Sequence, residues 1–148
     1  MTTALTPALR RKAWRSAAVA GMASYLDAGA IVTTGVALVL YQDSLGISPN
    51  QFGQLSAILT AMIALGAVVG GPLTDRFGRK RIFTITIAIY VLGAATLAAA
   101  PSIEALYLGI FVIGFASGAD LPPSLAIIAE AAPEGDSGKM VAFSHVLW

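Results

Sequence analysis

The sequence predicts an all-α membrane protein with four complete transmembrane helices and the start of a fifth. Two observations carry this expectation. Hydrophobic residues make up 57% of the chain and charged residues 11%, against about 45–50% and about 25% in soluble domains. The apolar residues also fall into runs of membrane length, where a soluble bundle would need polar surface on every helix.

Residues 1–16 form a polar, basic segment, and residues 17–148 the transmembrane part. A span takes about 20 mostly apolar residues. Ala17–Tyr41 supplies the first, with Asp27 as its one charge, and Phe52–Leu73 the second with none. Ile82–Ala100 is an uncharged third, and Ala105–Ile128 a fourth interrupted by Asp120. Met140–Trp148 begins a fifth run, but its nine residues reach only about 14 Å as helix. Ser48-Pro49-Asn50-Gln51 reads as a capping box with proline at the first helical position. Pro101-Ser102 ends the third helix, and Ser102 is placed to cap the fourth. The connections are short, so neighbouring helices run antiparallel.

Basic residues set the orientation. Arg10, Arg11, Lys12 and Arg15 precede span one; Arg76, Arg79, Lys80 and Arg81 separate spans two and three; Lys139 follows span four. All nine fall on one side, while the opposite connections hold Asp43 and Glu104 and no base. The positive-inside rule makes the N-terminus, 74–81 and 129–139 cytoplasmic, in a multi-pass protein of the cell (inner) membrane. The first run is too long for a signal peptide and contains Asp27. The absence of cysteine removes disulfides and thiolate metal sites. Basic residues gathered to orient the chain give no nucleic-acid surface. The lone His145 has no triad or metal-ligand spacing around it, and no phosphate-binding loop is present. The expectation is a non-enzyme with no cofactor and no metal, partnered by the lipid bilayer.

Asp27 and Asp120 are the candidate chemistry. By helical rise Asp27 sits roughly 3 Å, and Asp120 roughly 5 Å, from the middle of its span. Gly21-Met-Ala-Ser-Tyr-Leu-Asp27 and Gly114-Phe-Ala-Ser-Gly-Ala-Asp120 share the pattern G-x-A-S-x-x-D in helices of opposite direction, where an inverted three-helix repeat puts equivalent residues. Ser24 and Ser117 each stand three residues before their acid, on the same helical face. Such acids either hold helices together through hydrogen bonds or handle protons. Ionisable groups inside membranes mark transport paths and proton relays, and no Lys or Arg lies within these spans to fix either acid in a permanent pair.

Small residues mark close helix approach at Gly66-x-x-x-Gly70-Gly71 and Gly114-x-x-x-Gly118. Pro122-Pro123 follows Asp120 and Leu121 and removes backbone hydrogen bonds from span four, predicting a kink there. An acid, small residues and a kink make span four the candidate wall of a binding site.

Residues 71–83 pack Asp75, Arg76, Arg79, Lys80 and Arg81 into a short turn between two uncharged spans. They match G-x-L-x-D-R-x-G-R-K-x-x-hydrophobic, and the chain thereby resembles the major facilitator superfamily, which carries this signature between helices two and three. The resemblance covers the whole chain and implies part of the N-terminal six-helix bundle of that fold. It implies a gating latch at Gly71, Asp75, Arg76, Gly78 and Arg79. Asp75, set at a helix C-terminal end where the dipole disfavours it, calls for a partner such as Arg76, Arg79 or another helix N-terminus. Gly114–Ser124 with Glu130-Ala-Ala-Pro133 resembles proton-coupled phosphate, organic-acid and sugar-type members, implying that Asp120 binds protons and substrate and that Glu130 pairs with loop arginines. Asp27 resembles the first acid of a helix-one D-x-Y-D pattern whose second acid is Ala30 here. Ile110 and Ser137 stand where many relatives have arginine, which argues against an anionic substrate.

The reading is a proton-coupled symporter of a small metabolite working by alternating access, with a C-terminal half beyond this chain supplying the rest of the site. Two alternatives stand beside it: a proton-driven efflux antiporter of lipophilic or cationic compounds, and a small four-helix membrane protein acting as a dimer.

Overall fold

A computed structural model of the chain describes residues 7–132, 138–139 and 141–142. Helix α1 runs Pro7–Leu45, α2 Pro49–Phe77, α3 Arg79–Ala98 and α4 Ile103–Ala131. No strand occurs among the described residues. Among the described residues three stretches, Pro49–Phe77, Arg79–Ala98 and Ile103–Glu130, are long and apolar enough to cross a membrane, and Ile31–Leu45 within α1 is a shorter apolar helix. Of the fifth run, residues 141–142 are helical, and Phe143–Trp148, with His145, lies outside the described residues, as does Ser137.

The helices outrun the apolar spans. Helix α1 is already helical at Pro7, ahead of the predicted start at 17, and α2 continues past Leu73 to Phe77. Apolarity measures the depth of the membrane, whereas Thr74, Asp75 and Arg76 extend a helix already nucleated at little cost. Helix α3 stops at Ala98, short of Pro101. The caps are as the residues predict. Ser48 Oγ accepts from Gln51 N at 3.3 Å, and Gln51 Oε1 accepts from Ser48 N at 2.9 Å. Ser102 Oγ stands 3.5 Å from Ala105 N. Gly46, at φ 65°, supplies the left-handed residue that ends α1.

The chain divides into two compact units, residues 30–123 and a smaller one of 1–29 with 124–148. In the smaller unit Gly21 and Ile128 are buried, while Trp14, Val19, Met22 and Tyr25 are exposed. The larger unit holds α2, α3 and the adjoining lengths of α1 and α4. Towards its Gly46 end Leu38, Ile47, Leu55, Leu97, Leu106 and Ile110 form an apolar cluster. Two tyrosines tie that cluster across helices. Tyr41 donates to the Leu97 carbonyl at 2.8 Å, and Tyr107 to Gln54 Oε1 at 2.8 Å.

Helix α4 packs against both α2 and α3, and glycine sets the spacing. A Cβ at Gly66 or Gly70 of α2 would strike the backbone of Phe115–Ala119. A Cβ at Gly114 or Gly118 of α4 would strike the backbone of Leu59 or Ile63 in return. Each glycine faces a carbonyl oxygen of the other helix: Phe115, Ala119, Leu59 and Ile63 respectively. The two G-x-x-x-G pairs are thus one reciprocal interface, in which Cα–H groups can contact carbonyls across the helices. On the other flank Gly93 of α3 meets the backbone of Ile113, and Gly109 of α4 meets that of Leu97. Exposed Val68, Val91, Leu92 and Phe111 point outward, as expected where the solvent is lipid.

Candidate functional site

Asp120 is where this packing encloses a carboxyl group. It lies in a buried stretch of α4, Ala116–Asp120, and is 5% exposed. Gly70 brings α2 close to Ala119 on one flank. On the other, Thr86 of α3 is itself buried, with its Oγ1 3.1 Å from Asp120 Oδ1. The same hydroxyl is 2.9 Å from the carbonyl oxygen of Phe83. Ser117 is buried one turn before the acid, but the hydroxyl that reaches Asp120 belongs to Thr86.

Thr86 is the residue that sequence reasoning missed. Helix α3 carries three threonines, and two of them satisfy their own helix: Thr84 donates to the Lys80 carbonyl and Thr96 to that of Leu92, both exposed. A signal was nevertheless present. Ile82, Thr86, Gly93 and Leu97 are the buried residues of α3; their spacing of four, seven and four residues marks one helical face, and Gly93 labels that face as the close-packed one.

Pro122 and Pro123 lie within an uninterrupted α4. Lacking N–H groups, they leave the carbonyls of Gly118 and Ala119 without their intrahelical donors. Both residues belong to the glycine interface with α2, so a neighbouring helix meets the freed backbone.

The predicted charged loop contracts to a single residue. Asp75 and Arg76 are inside the last turn of α2, Arg79 opens α3, and only Gly78 lies between, at φ 87° and ψ 139°. Its N–H bonds the Thr74 carbonyl at 3.0 Å, and its own carbonyl accepts from Ile82 N at 3.2 Å. Asp75 is thus two residues inside the helix rather than beyond its end. It is exposed and forms no ion pair among the described residues. Arg76 stacks over the ring of Phe77, 5.5 Å from its centroid. Thr74 is buried, and its hydroxyl has no hydrogen-bond partner among the described residues. Gly71 has nothing within 4 Å of a Cβ built on it. Glu130 belongs to the smaller unit and is exposed near the end of α4. The side chains of Ser24 and Asp27 lie outside the described residues. Among the described residues no cluster of metal-ligating side chains occurs.

Apolar helices of membrane length, joined by tight turns and enclosing one carboxyl group, define a multi-pass membrane protein. The chain belongs to the major facilitator superfamily, whose family model matches residues 17–148. It is 36% identical over 131 residues to the minor myo-inositol transporter IolF of Bacillus subtilis, covering 87% of this chain and 30% of that protein. It is 33% identical over 123 residues to the niacin transporter NiaP of Acinetobacter baylyi, covering 83% and 27%. It is 30% identical over 148 residues to inositol transporter 4 of Arabidopsis thaliana, covering 99% and 25%. The chain therefore spans less than a third of the length of these relatives. No solved structure matches it significantly.

Proposed function

We propose that this chain is the N-terminal part of a secondary active transporter that carries a small polar metabolite of the inositol, sugar or niacin kind together with protons. The buried Asp120, hydrogen-bonded by Thr86 and without an ion pair among the described residues, carries this reading. A carboxyl group removed from water and from fixed counter-charges can hold a proton, give it up, and interact differently with its surroundings in each form. In a rocking carrier that difference biases which side the site opens to.

In this reading Asp27 is a second acid of the same path, with Ser24 and Ser117 as polar neighbours. In the same reading the protein sits in the cell membrane with its N-terminus in the cytoplasm, a side supported by the gathering of all nine basic residues there. The turn at Gly78, with Asp75, Arg76 and Arg79, is then a cytoplasmic latch, and the open face of Gly71 is where a helix of the second half approaches. Glu130 is a charge partner on the same side.

The test is uptake of labelled myo-inositol, glucose and niacin into membrane vesicles bearing the protein expressed from its own gene, with and without an imposed pH gradient. Gradient-driven accumulation of one of them, abolished in Asp120→Asn at equal protein level, is the expected result. Accumulation that ignores the gradient, or that survives unchanged in Asp120→Asn, overturns proton coupling through this acid. Net export driven by the gradient identifies an antiporter instead.

A further inference from the structure

The hydroxyl of Thr86 has one proton and two acceptors. It stands 2.9 Å from the Phe83 carbonyl oxygen and 3.1 Å from Asp120 Oδ1, both good hydrogen-bond distances. A hydroxyl donates once and accepts through its lone pairs, so both contacts are full hydrogen bonds in one arrangement only. In that arrangement Asp120 bears a proton on Oδ1 and donates it to Thr86 Oγ1, while Thr86 donates to the Phe83 carbonyl. When Asp120 is a carboxylate, the Thr86 proton turns from Phe83 to Oδ1. Protonation adds one proton to Oδ1, and deprotonation removes it.

We infer that Thr86 is a positioning residue for the proton on Asp120: a hydroxyl switch on α3 whose orientation reports and stabilises each protonation state of the acid on α4. This role deepens the proposed function and rests on it. Among the described residues, the surroundings leave the switch to these groups. On α4 the neighbour one turn back is Ser117, and apart from Asp120 the charged residues are Glu104 in the first turn and Glu130 near the last. On α2 the facing residues are glycines, with Asp75 and Arg76 confined to its last turn. On α3 the basic residues Arg79, Lys80 and Arg81 occupy the first turn, and Tyr90 stands one turn beyond Thr86. From α1, Tyr41 is held at the far end by Leu97, 11 residues and about 16 Å along α3 from Thr86. Thr86 is also the only described side chain that bonds the acid, which makes it the means by which a proton on α4 is felt by α3.

Infrared difference spectra of the chain in lipid nanodiscs, taken across a pH titration, test this. The carbonyl stretch of protonated Asp120 is the band lost in Asp120→Asn. In Thr86→Val, which keeps shape and removes the hydroxyl, that band shifts in frequency and its titration midpoint moves by about one pH unit, the size of the difference between a charge-assisted and a neutral hydrogen bond. Thr86→Ser restores both. A band and midpoint unchanged in Thr86→Val overturn the switch, as does the absence of any Asp120 band. Failure of the transport reading shows separately, as proton coupling intact in Asp120→Asn whatever the spectra report.

Discussion

Gly70 stands against the carbonyl of Ala119, and that carbonyl is the one Pro123 leaves without an intrahelical donor. A Cβ built on Gly70 would lie 2.5 Å from the Ala119 oxygen and 2.8 Å from its Cα. The proline that weakens α4 internally and the glycine that lets α2 approach it therefore act at the same point. A carbonyl freed in the apolar interior costs stability unless something polar or weakly acidic meets it, and the Cα–H groups of Gly70 are what the fold offers.

Replacing Gly70 with alanine therefore forces backbone from backbone, since no flexible side chain can yield. The expected cost is about 1–3 kcal/mol, seen as a lower thermal unfolding midpoint in detergent by circular dichroism. Gly71→Ala is the control one residue away. With nothing within 4 Å of the added methyl, helix propensity makes it neutral or stabilising by about 0.4–1 kcal/mol. Equal effects of the two substitutions would contradict the interface.

Gly78→Ala probes the turn instead of the packing. Space is free around Gly78, but φ 87° with ψ 139° lies near a region that residues with a Cβ avoid. The expected penalty is about 1–3 kcal/mol. It should be matched by Gly78→Ser and spared in any variant that lengthens the turn by one glycine, which a loss caused by crowding would not be. The same unfolding measurement on the three variants decides it.

The fold was legible in the sequence to the extent that membrane length and turn chemistry are local. Ser48 and Gln51, the apolar runs and the glycine pairs all announce themselves within a few residues. Helix ends were less legible: Asp75 and Arg76 look like loop because they are charged, yet they continue α2, since leaving the apolar layer does not end a helix. At the site, Asp120 stood out because a charge in an apolar run is conspicuous. Thr86 did not, because its role depends on which way α3 faces α4, and an uncharged hydroxyl among three threonines carries no such direction. That Gly66 and Gly70 pair with Gly114 and Gly118, rather than with other helices, is likewise a property of three-dimensional packing.

Thr74 and Thr86 are both buried threonines, and they should respond to valine in opposite ways. The Thr74 hydroxyl has no partner among the described residues, so Thr74→Val removes an unsatisfied polar group without losing a bond. It is expected to be neutral or to stabilise by up to about 1 kcal/mol. Thr86→Val breaks the bond to Asp120 and leaves a buried acid unsatisfied, at an expected cost of about 1–3 kcal/mol. Denaturant titration of both proteins checks the signs. Destabilisation by Thr74→Val would mean that its hydroxyl is bonded after all.

Tyr41 closes the opposite end of the bundle, and the reason lies in Pro101. The Leu97 carbonyl would ordinarily accept from the N–H four residues on, but residue 101 is proline and has none. Ala100 N turns back to it at 3.3 Å, a long bond, and Tyr41 OH supplies a short one at 2.8 Å. The tyrosine thus ties α1 to the terminus of α3 through an acceptor that the chain's own turn leaves half-served. Tyr41→Phe keeps the ring in the apolar cluster and deletes only that donor. The expected loss is about 0.5–1.5 kcal/mol, with faster hydrogen exchange confined to the last turn of α3 and the facing turn of α1. Tyr107→Phe gives up a bond to the exposed Gln54 side chain, which water can replace, so it should cost less. A larger effect at Tyr107 than at Tyr41 would show that burial of the acceptor is not what makes the Tyr41 bond matter.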